Sequence, residues 1–239
     1  MFRVRLIFAL LLLFALAACG GSAGPSPGKE VSKVKPMPIN AKAYGKSYGE
    51  WTEAFSERVY SIPWSEHPMN GGSWETWQSG KVWFLSGGPG GYAEEYDVTI
   101  PPGKALCVNL LNISPDNVGV DPPMTIEQLW DMADYWLDSV TDMSANLDGY
   151  SLADDLFAYR SYSPGAFSIE VPENDNIYQV WGLQVPSDYW PSTTITPMVA
   201  GSYALILPPL SAGVHVLSFT LETDFGWWLD VTFNLTVQH

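Results

Sequence analysis

The sequence is poor in the residues that build metal, disulfide and nucleotide sites. It contains two cysteines and three histidines, and no two histidines have the spacing of a zinc site. A Gly-x-Ser-x-Gly nucleophile motif is missing, and the glycine-rich stretch 86–91 lacks the lysine of a phosphate-binding loop. We therefore expect no metal, no cofactor and no catalytic triad.

Positive charge is also scarce. Lysine and arginine number 11 against 26 aspartates and glutamates, which gives a net charge of −15. A protein this acidic is repelled by the phosphate backbone of DNA and RNA. We therefore expect no nucleic-acid partner.

No apolar run is long enough to cross a bilayer, which requires about 20 such residues. The apolar run 6–15 follows Arg3 and Arg5 and precedes the small-residue stretch Leu16-Ala17-Ala18-Cys19. This order of charged, apolar and small residues is typical of a signal peptide. We predict that residues 1–18 are removed on export.

The stretch 16–19 resembles the lipobox of bacterial lipoproteins, whose cysteine is acylated and becomes the new N-terminus. The resemblance implies lipid attachment at Cys19 and a membrane partner through this anchor. Gly20 rather than aspartate follows Cys19, which by resemblance to Gram-negative lipoproteins implies the outer membrane. The alternative is an ordinary secretory signal with Cys19 near its cleavage site.

Residues 19–43 are rich in glycine, serine and proline, so we predict a flexible tether. Its lysines, Lys29, Lys33 and Lys35, suit a position near anionic lipid headgroups. The remaining residues, 44–239, have the length of a single domain. If Cys19 is acylated, Cys107 has no disulfide partner, and its apolar neighbours predict a buried strand.

Short alternating or apolar runs separated by Gly, Pro and Asn predict a mainly β fold. Residues 229–237 alternate apolar and polar side chains, which indicates a strand with one solvated face. The loop 208–213 is rich in Pro and Gly and suits a chain reversal between two antiparallel strands. We predict an antiparallel β-sandwich. Its expected strands are 81–86, 96–100, 105–111, 166–171, 178–185, 202–207, 214–222 and 229–237.

Two α-helices are expected to pack on the sandwich. The first covers 48–59, and the second begins after Thr125, whose capping box with Gln128 marks a helix start, and runs to Met143. Aspartates at 131, 134, 138 and 142 form one helix face. We interpret this face as solvated rather than as a calcium site, because carboxylates along a helix rarely converge on one ion.

Several short blocks occur in a fixed order along the chain. Together they resemble a group of secreted bacterial proteins that share such blocks and have no established activity. The resemblance therefore implies a common fold and export, without implying a reaction. Many similar sequences carry a cysteine pair near residues 70–98, which this chain lacks. The blocks include Tyr48-Gly-Glu-Trp51, Lys81-Val-Trp-Phe-Leu85, Pro101-Pro-Gly-Lys-Ala105, Tyr159-Arg-Ser-Tyr-Ser-Pro164 and Asp230-Val-Thr-Phe-Asn-Leu-Thr-Val237.

Aromatic side chains are the most prominent candidates for ligand contact. Of eleven tryptophans, Trp64, Trp74, Trp77 and Trp190 lie in polar, loop-like stretches, beside acids such as Glu66. An indole in a loop can stack on a sugar ring or anchor a protein contact, whereas in the alternative interpretation these rings fill the ends of the sandwich.

Two functions are compatible with this pattern. We predict a membrane-anchored envelope lipoprotein that binds a glycan, a peptide or an envelope protein through aromatic loops and is not an enzyme. The alternative is a cell-surface polysaccharide hydrolase with paired carboxylates, which requires two acids about 5 to 10 Å apart in a cleft.

Lipidation is tested by the substitution Cys19→Ala. Removal of the acylated thiol leaves no hydrophobic anchor, so the protein should leave the membrane fraction after cell lysis and centrifugation. Wild-type protein provides the control. Continued sedimentation of Cys19→Ala with membranes would contradict the anchor.

Overall fold

The computed structural model describes residues 34–183 and 193–239. They form a mainly β domain with three α-helices: α1 (Tyr48–Tyr60), α2 (Ile126–Asp138) and α3 (Ile177–Val180). The strands are β1 (Val82–Ser86), β2 (Ala93–Ile100), β3 (Ala105–Ile113), β4 (Val140–Leu147), β5 (Tyr150–Ser151), β6 (Arg160–Tyr162), β7 (Phe167–Glu170), β8 (Thr194–Met198), β9 (Gly201–Leu207), β10 (Gly213–Thr223) and β11 (Trp228–Val237).

The strands form two main sheets that face each other. The first sheet has the order β1-β3-β9-β6, the second has the order β2-β11-β10-β4-β5, and β7 and β8 form a separate hairpin. The predicted β-sandwich is therefore confirmed. The sheets are mixed, because β1 pairs in parallel with β3 and β2 pairs in parallel with β11.

Strands β3 and β9 are covered on both faces. Residues 105–111 of β3 and all of β9 are buried. Because successive side chains point to opposite faces of a strand, Leu106 and Leu205 pack towards the second sheet, whereas Cys107 and Ile206 pack towards α1. The continuous apolar runs in these strands follow from this double burial.

Helix α1 covers the outer face of the first sheet. Its Phe55 and Val59 pack on the sheet's Phe84 and Cys107. The helix approaches closely because Gly49 has no side chain: a Cβ there would lie 2.1 Å from the carbonyl oxygen of Tyr162. Ser47 and Glu50 form a capping box at its N-terminus.

The second sheet has one solvated face, as its alternating sequence predicts. In β11, Val231 and Phe233 are buried in the core between the sheets, whereas Asp230 and Thr236 are exposed.

Strand β1 lies at an edge of the first sheet, and the side chain of Gln78 pairs with its backbone there. The side-chain amide of Gln78 accepts a hydrogen bond from the Phe84 N–H at 2.9 Å and donates one to the Phe84 carbonyl at 2.8 Å, which removes pairing groups from an edge strand.

The predicted boundary between tether and domain is wrong. Residues 34–43 pack on the domain: Ala43 is buried, the Met37 N–H donates to the Ile206 carbonyl at 2.8 Å, and Tyr48 Oη donates to the Met37 carbonyl at 2.6 Å. The apolar residues Val34, Met37 and Ile39 explain this packing. Cys19 and the rest of the predicted tether, 19–33, lie outside the described residues.

One predicted helix ends earlier than expected, and one predicted strand contains a helix instead. Helix α2 ends at Asp138 rather than Met143, because the chain then enters β4, where Met143 pairs with Leu221 of β10. Residues 178–183 are not a strand. An Asn176–Gln179 capping box starts α3 there, and residues 184–192 lie outside the described part of the chain.

The predicted reversal at 208–213 does not join paired strands. Strand β9 belongs to the first sheet and β10 to the second, so this loop crosses between the two layers. Leu210 is buried in the core between them. Its apolar side chain therefore fixes the crossing point.

Among the described residues, no helix combines the length and the hydrophobicity needed to span a membrane.

Cys107 is free and buried, and burial raises the pKa of its thiol to about 12.

The thiol of Cys107 should therefore be inert in the folded state. In protein carrying Cys19→Ser, a thiol reagent such as Ellman's reagent at pH 8 should label Cys107 only after denaturant is added, because only the exposed thiolate reacts. The control is the same protein in denaturant. Rapid labelling of the native protein would contradict the burial of β3.

Candidate binding cleft

A cleft of about 260 Å³ lies beside α1, and three tryptophans that are distant in sequence line it: Trp136, Trp181 and Trp227. Its walls are mainly apolar. They also include Phe55, Val59, Tyr60, Met69, Ser86, Gly87, Gly88, Pro89, Leu110, Leu111, Asn112, Ile113, Ile177 and Leu229. A cavity of this volume holds one ring or one branched side chain.

The glycine-rich loop after β1 forms one wall of the cleft. Its shape is set by the carboxylate of Glu94, which is buried and accepts hydrogen bonds from the Gly88 N–H at 2.5 Å and from Tyr96 Oη at 2.8 Å. A Cβ on Gly88 would lie 3.0 Å from both carboxylate oxygens. Glycine is needed here so that the backbone can approach Glu94 closely. The anionic group bound by this loop is therefore the carboxylate of Glu94, a side chain of the protein itself.

Trp227 and Trp136 form the second wall. The indole N–H of Trp227 donates to the Pro89 carbonyl at 3.0 Å, which ties the turn after β10 to the glycine-rich loop. Trp136, on α2, contacts Trp227 edge-to-face at 6.4 Å and Phe225 at 5.2 Å between ring centroids. These contacts hold both rings in place without a ligand.

Trp181 forms the open side. It follows α3, contacts Tyr178 edge-to-face at 5.7 Å and is 55% exposed. Tyr178 Oη donates to the Asp116 carboxylate at 2.5 Å. Burial raises the pKa of Asp116, and the Tyr178 hydrogen bond opposes this shift. The rigid Tyr178 therefore supports an indole whose outer face is free to meet a ligand.

One polar side chain in the cleft wall, Asn112, is held by the protein itself. Its Oδ1 accepts hydrogen bonds from Ser114 Oγ at 2.8 Å and Ser56 Oγ at 3.3 Å. Its Nδ2 is buried and has no hydrogen-bond partner among the described residues. Because Nδ2 has almost no accessible surface, a ligand in the cleft meets the apolar walls rather than this amide.

None of the three predicted tryptophans that the structure describes, Trp64, Trp74 and Trp77, lines this cleft. Trp74 is not a loop residue available to a ligand: it is 4% exposed and packs edge-to-face on Tyr96 and Phe233 in the core. Trp64 is half-buried and stacks on His67 at 5.3 Å. Trp190 lies outside the described residues. For Trp74, the interpretation as a filler of the sandwich is the correct one.

Trp77 is the predicted tryptophan that the structure does expose. It is 39% exposed, and its indole N–H donates to Glu66 Oε2 at 3.1 Å. This brings Trp77 and Glu66 together, as their place in one polar stretch suggested. Neither residue lines the cleft of Trp136, Trp181 and Trp227.

A second group has the composition of a hydrolytic triad. His215 Nδ1 lies 2.7 Å from Asp148 Oδ2, and its Nε2 lies 3.4 Å from Ser211 Oγ. However, Nε2 is closer to the Ser211 carbonyl oxygen, at 2.9 Å. An imidazole that donates to this carbonyl cannot accept the Ser211 proton as a general base. We interpret the group as a set of structural hydrogen bonds that joins the loop 208–212 to the turn at Asp148.

The acidic face of α2 is also structural. Asp134 and Asp138 both contact Arg160 of β6, at 2.7 and 2.5 Å. Asp142, which was expected on the same helix face, lies on β4 instead. Among the described residues, no cluster of three His, Cys, Asp or Glu side chains could hold a metal ion.

Comparisons with known proteins leave the chain without a named relative. No family model, no curated protein and no solved structure matches it. The candidate function therefore rests on the residues and geometry of the chain itself.

A buried histidine, His67, should make stability pH-dependent. It is fully buried, its Nδ1 accepts from the Met69 N–H at 3.1 Å, and its Nε2 meets no hydrogen-bond criterion with a described residue. Burial lowers its pKa from 6.5 to about 4, and the nearby Val59 carbonyl opposes this shift. As the pH falls from 6.5 to 4, the unfolded chain binds a proton that the folded chain does not bind.

The free energy of unfolding should therefore fall over this window, by up to about 3 kcal/mol from His67. Urea unfolding at several pH values measures it. The substitution His67→Gln should flatten the pH dependence, whereas the control His239→Gln, which changes an exposed histidine, should retain it. Equal pH slopes in wild type and His67→Gln would show that His67 is not a neutral buried imidazole.

Proposed function

We propose that the protein is a membrane-anchored envelope lipoprotein whose tryptophan-lined cleft binds an apolar or aromatic side chain of a peptide or partner protein. The observation that carries this proposal is the cleft itself, where Trp136, Trp181 and Trp227 meet around about 260 Å³. Tryptophan is enriched at the energetic centres of protein interfaces.

The cleft favours binding over catalysis. Among its described lining residues there is no Asp, Glu, His, Cys or Lys. General acid–base chemistry requires such groups within hydrogen-bonding reach of a substrate. The hydrolase alternative requires two facing carboxylates, and the described walls of this cleft supply neither.

The polarity of the cleft walls also distinguishes between a sugar and a peptide as the ligand. A sugar unit presents several hydroxyl groups, and each needs a polar partner when it is buried. The cleft is lined mainly by leucine, isoleucine, valine, phenylalanine and tryptophan side chains, and its few polar side chains are those of Tyr60, Ser86 and Asn112. An apolar side chain of a peptide therefore matches these walls better than a hexose.

The rim of the cleft is apolar as well. Tyr135 is 65% exposed, and Phe225 and Val180 are also exposed. Phe225 packs on Trp136, and Val180 lies next to Trp181. Exposed aromatic and aliphatic side chains around a pocket are typical of protein interaction sites. The anchor at Cys19 would hold the domain that carries this rim at a membrane.

The proposal is tested by NMR of protein carrying Cys19→Ser and ¹⁵N-labelled tryptophan. Titration with N-acetylphenylalanine amide should shift the indole resonances of Trp136, Trp181 and Trp227 in a saturable way, and methyl β-glucoside should not. The substitution Trp181→Ala should weaken binding about tenfold, because it removes one ring wall. Trp77→Ala is the matched control, since it removes an exposed tryptophan outside the cleft.

If neither compound shifts these three resonances, the cleft is not a binding site. Equal affinity in Trp181→Ala and Trp77→Ala would also refute the proposal. Saturation by the glucoside alone would assign the cleft to a glycan instead of a peptide.

A further inference from the structure

A second groove lies on the other side of α1 and differs from the cleft in chemistry. Its volume is about 450 Å³, and it shares no lining residue with the tryptophan cleft. Three cations line it: Lys46, Arg58 and Lys81. Lys104 joins them, because its Nζ donates to the carbonyl of the lining residue Gly80.

This concentration of cations is unusual for so acidic a chain. Seven lysines and arginines lie in the described residues, and four of them are at this groove. The other three are Lys35, Lys42 and Arg160. Charges more than about 10 Å apart are largely screened at physiological salt, so the local groups dominate what the groove attracts.

None of the four cations is neutralised by an ion pair with a described residue. The described ion pairs are made by Arg160 and His215 instead. Glu57 is the one acid in the groove wall, and Glu50 and Glu53 lie near Lys46 on the same helix. Glu50 is occupied in the capping box, where its carboxylate accepts from the Ser47 N–H at 2.7 Å.

Arg58 is the central group. It is half-buried, and burial lowers its pKa, as expected of a guanidinium that loses water without gaining a carboxylate. Its Nη2 donates to Ser79 Oγ at 2.6 Å. Arg58, Ser61 and Ser79 all line the groove, and the hydroxyl group of Ser61 donates to the Arg58 carbonyl at 2.8 Å.

The ring of Trp51 completes the wall. Lys46 Nζ lies 5.4 Å from the centre of this ring, and the indole N–H donates to the Ala43 carbonyl at 2.8 Å. Trp51 therefore fixes the segment 43–46 at the rim and provides a spectroscopic reporter inside the groove.

We propose that this groove binds a phosphate group. The arginine and lysine side chains, with the hydroxyl group of Ser79, match the charge and the several acceptor oxygens of a phosphate ester. The site is independent of the proposed peptide cleft, since α1 separates the two. The phosphate can belong to a small molecule or to an anionic lipid headgroup of the membrane that would carry the Cys19 anchor.

The experiment uses the same protein with Cys19→Ser and ¹⁵N-labelled tryptophan. Inorganic phosphate should shift the Trp51 indole resonance in a saturable way and leave Trp136, Trp181 and Trp227 unchanged. The substitutions Arg58→Gln and Lys81→Gln should each weaken binding about tenfold, since each removes a charge-assisted hydrogen bond. Lys35→Gln is the matched control, because it removes one positive charge outside the groove and should leave affinity unchanged.

Vesicles of phosphatidylglycerol and phosphatidylcholine distinguish the source of the phosphate. Binding to mixed vesicles but not to pure phosphatidylcholine, with loss in Lys81→Gln and not in Lys35→Gln, would assign the groove to an anionic headgroup. Saturation by inorganic phosphate alone would assign it to a small phosphate ester. The proposal is overturned if neither probe shifts Trp51, or if Lys35→Gln weakens binding as much as the groove variants do.

Failure of this test would leave the cleft proposal intact, because the two sites have different reporters in one spectrum. Lys81 is exposed on the groove rim, so Lys81→Gln keeps the test valid if Arg58→Gln does not fold.

Discussion

Double burial of β3 and β9 is the constraint on which the rest of the structure depends. The inner faces of these strands pack on the second sheet, and their outer faces pack beneath α1. Each fully buried aliphatic or aromatic side chain contributes about 1.5 to 3 kcal/mol to the free energy of unfolding. Exposing either face, by removal of the second sheet or of α1, would therefore destabilise the protein strongly. The pairing of β3 with β9 therefore fixes the position of α1, and α1 in turn separates the cleft from the basic groove.

The cleft forms where three independent elements end around this scaffold. The glycine-rich loop leaves β1 and is held by Glu94, Trp227 is tied to that loop through Pro89, and Trp181 stands on the Tyr178–Asp116 contact. Each indole thus has its own support. A site whose rings are held before the ligand arrives loses less conformational entropy on binding.

The spacing of apolar residues in the sequence predicted an element correctly where each apolar position is also a buried position in the structure. The alternation of β11 and the apolar run of β3 are such cases, because side-chain direction in a strand depends only on position along it. The end of α2 could not be predicted in this way. Val140 and Met143 fit the helical spacing, yet Met143 pairs with Leu221 of β10, and that pairing depends on a strand more than 70 residues away.

The candidate site was less predictable than the fold. Tryptophans in polar stretches were the named candidates, but Trp74 fills the core, where its ring packs on Tyr96 and Phe233. Trp136, Trp181 and Trp227 were missed, since a predicted helix, a predicted strand and the turn between two predicted strands gave no sign that their rings meet. Asn176 and Gln179 did carry a signal for α3: their spacing is that of a capping box.

The central claim is that the doubly covered strands β3 and β9 form the most stable part of the scaffold, on which α1 and the cleft depend. Native-state hydrogen exchange, resolved by residue, tests it most directly. Amide protons of β3 and β9 should exchange only through global unfolding, whereas those of the glycine-rich loop should exchange through smaller local openings. Exchange of β3 and β9 that is faster than that of β10, the central strand of the second sheet, would contradict the account.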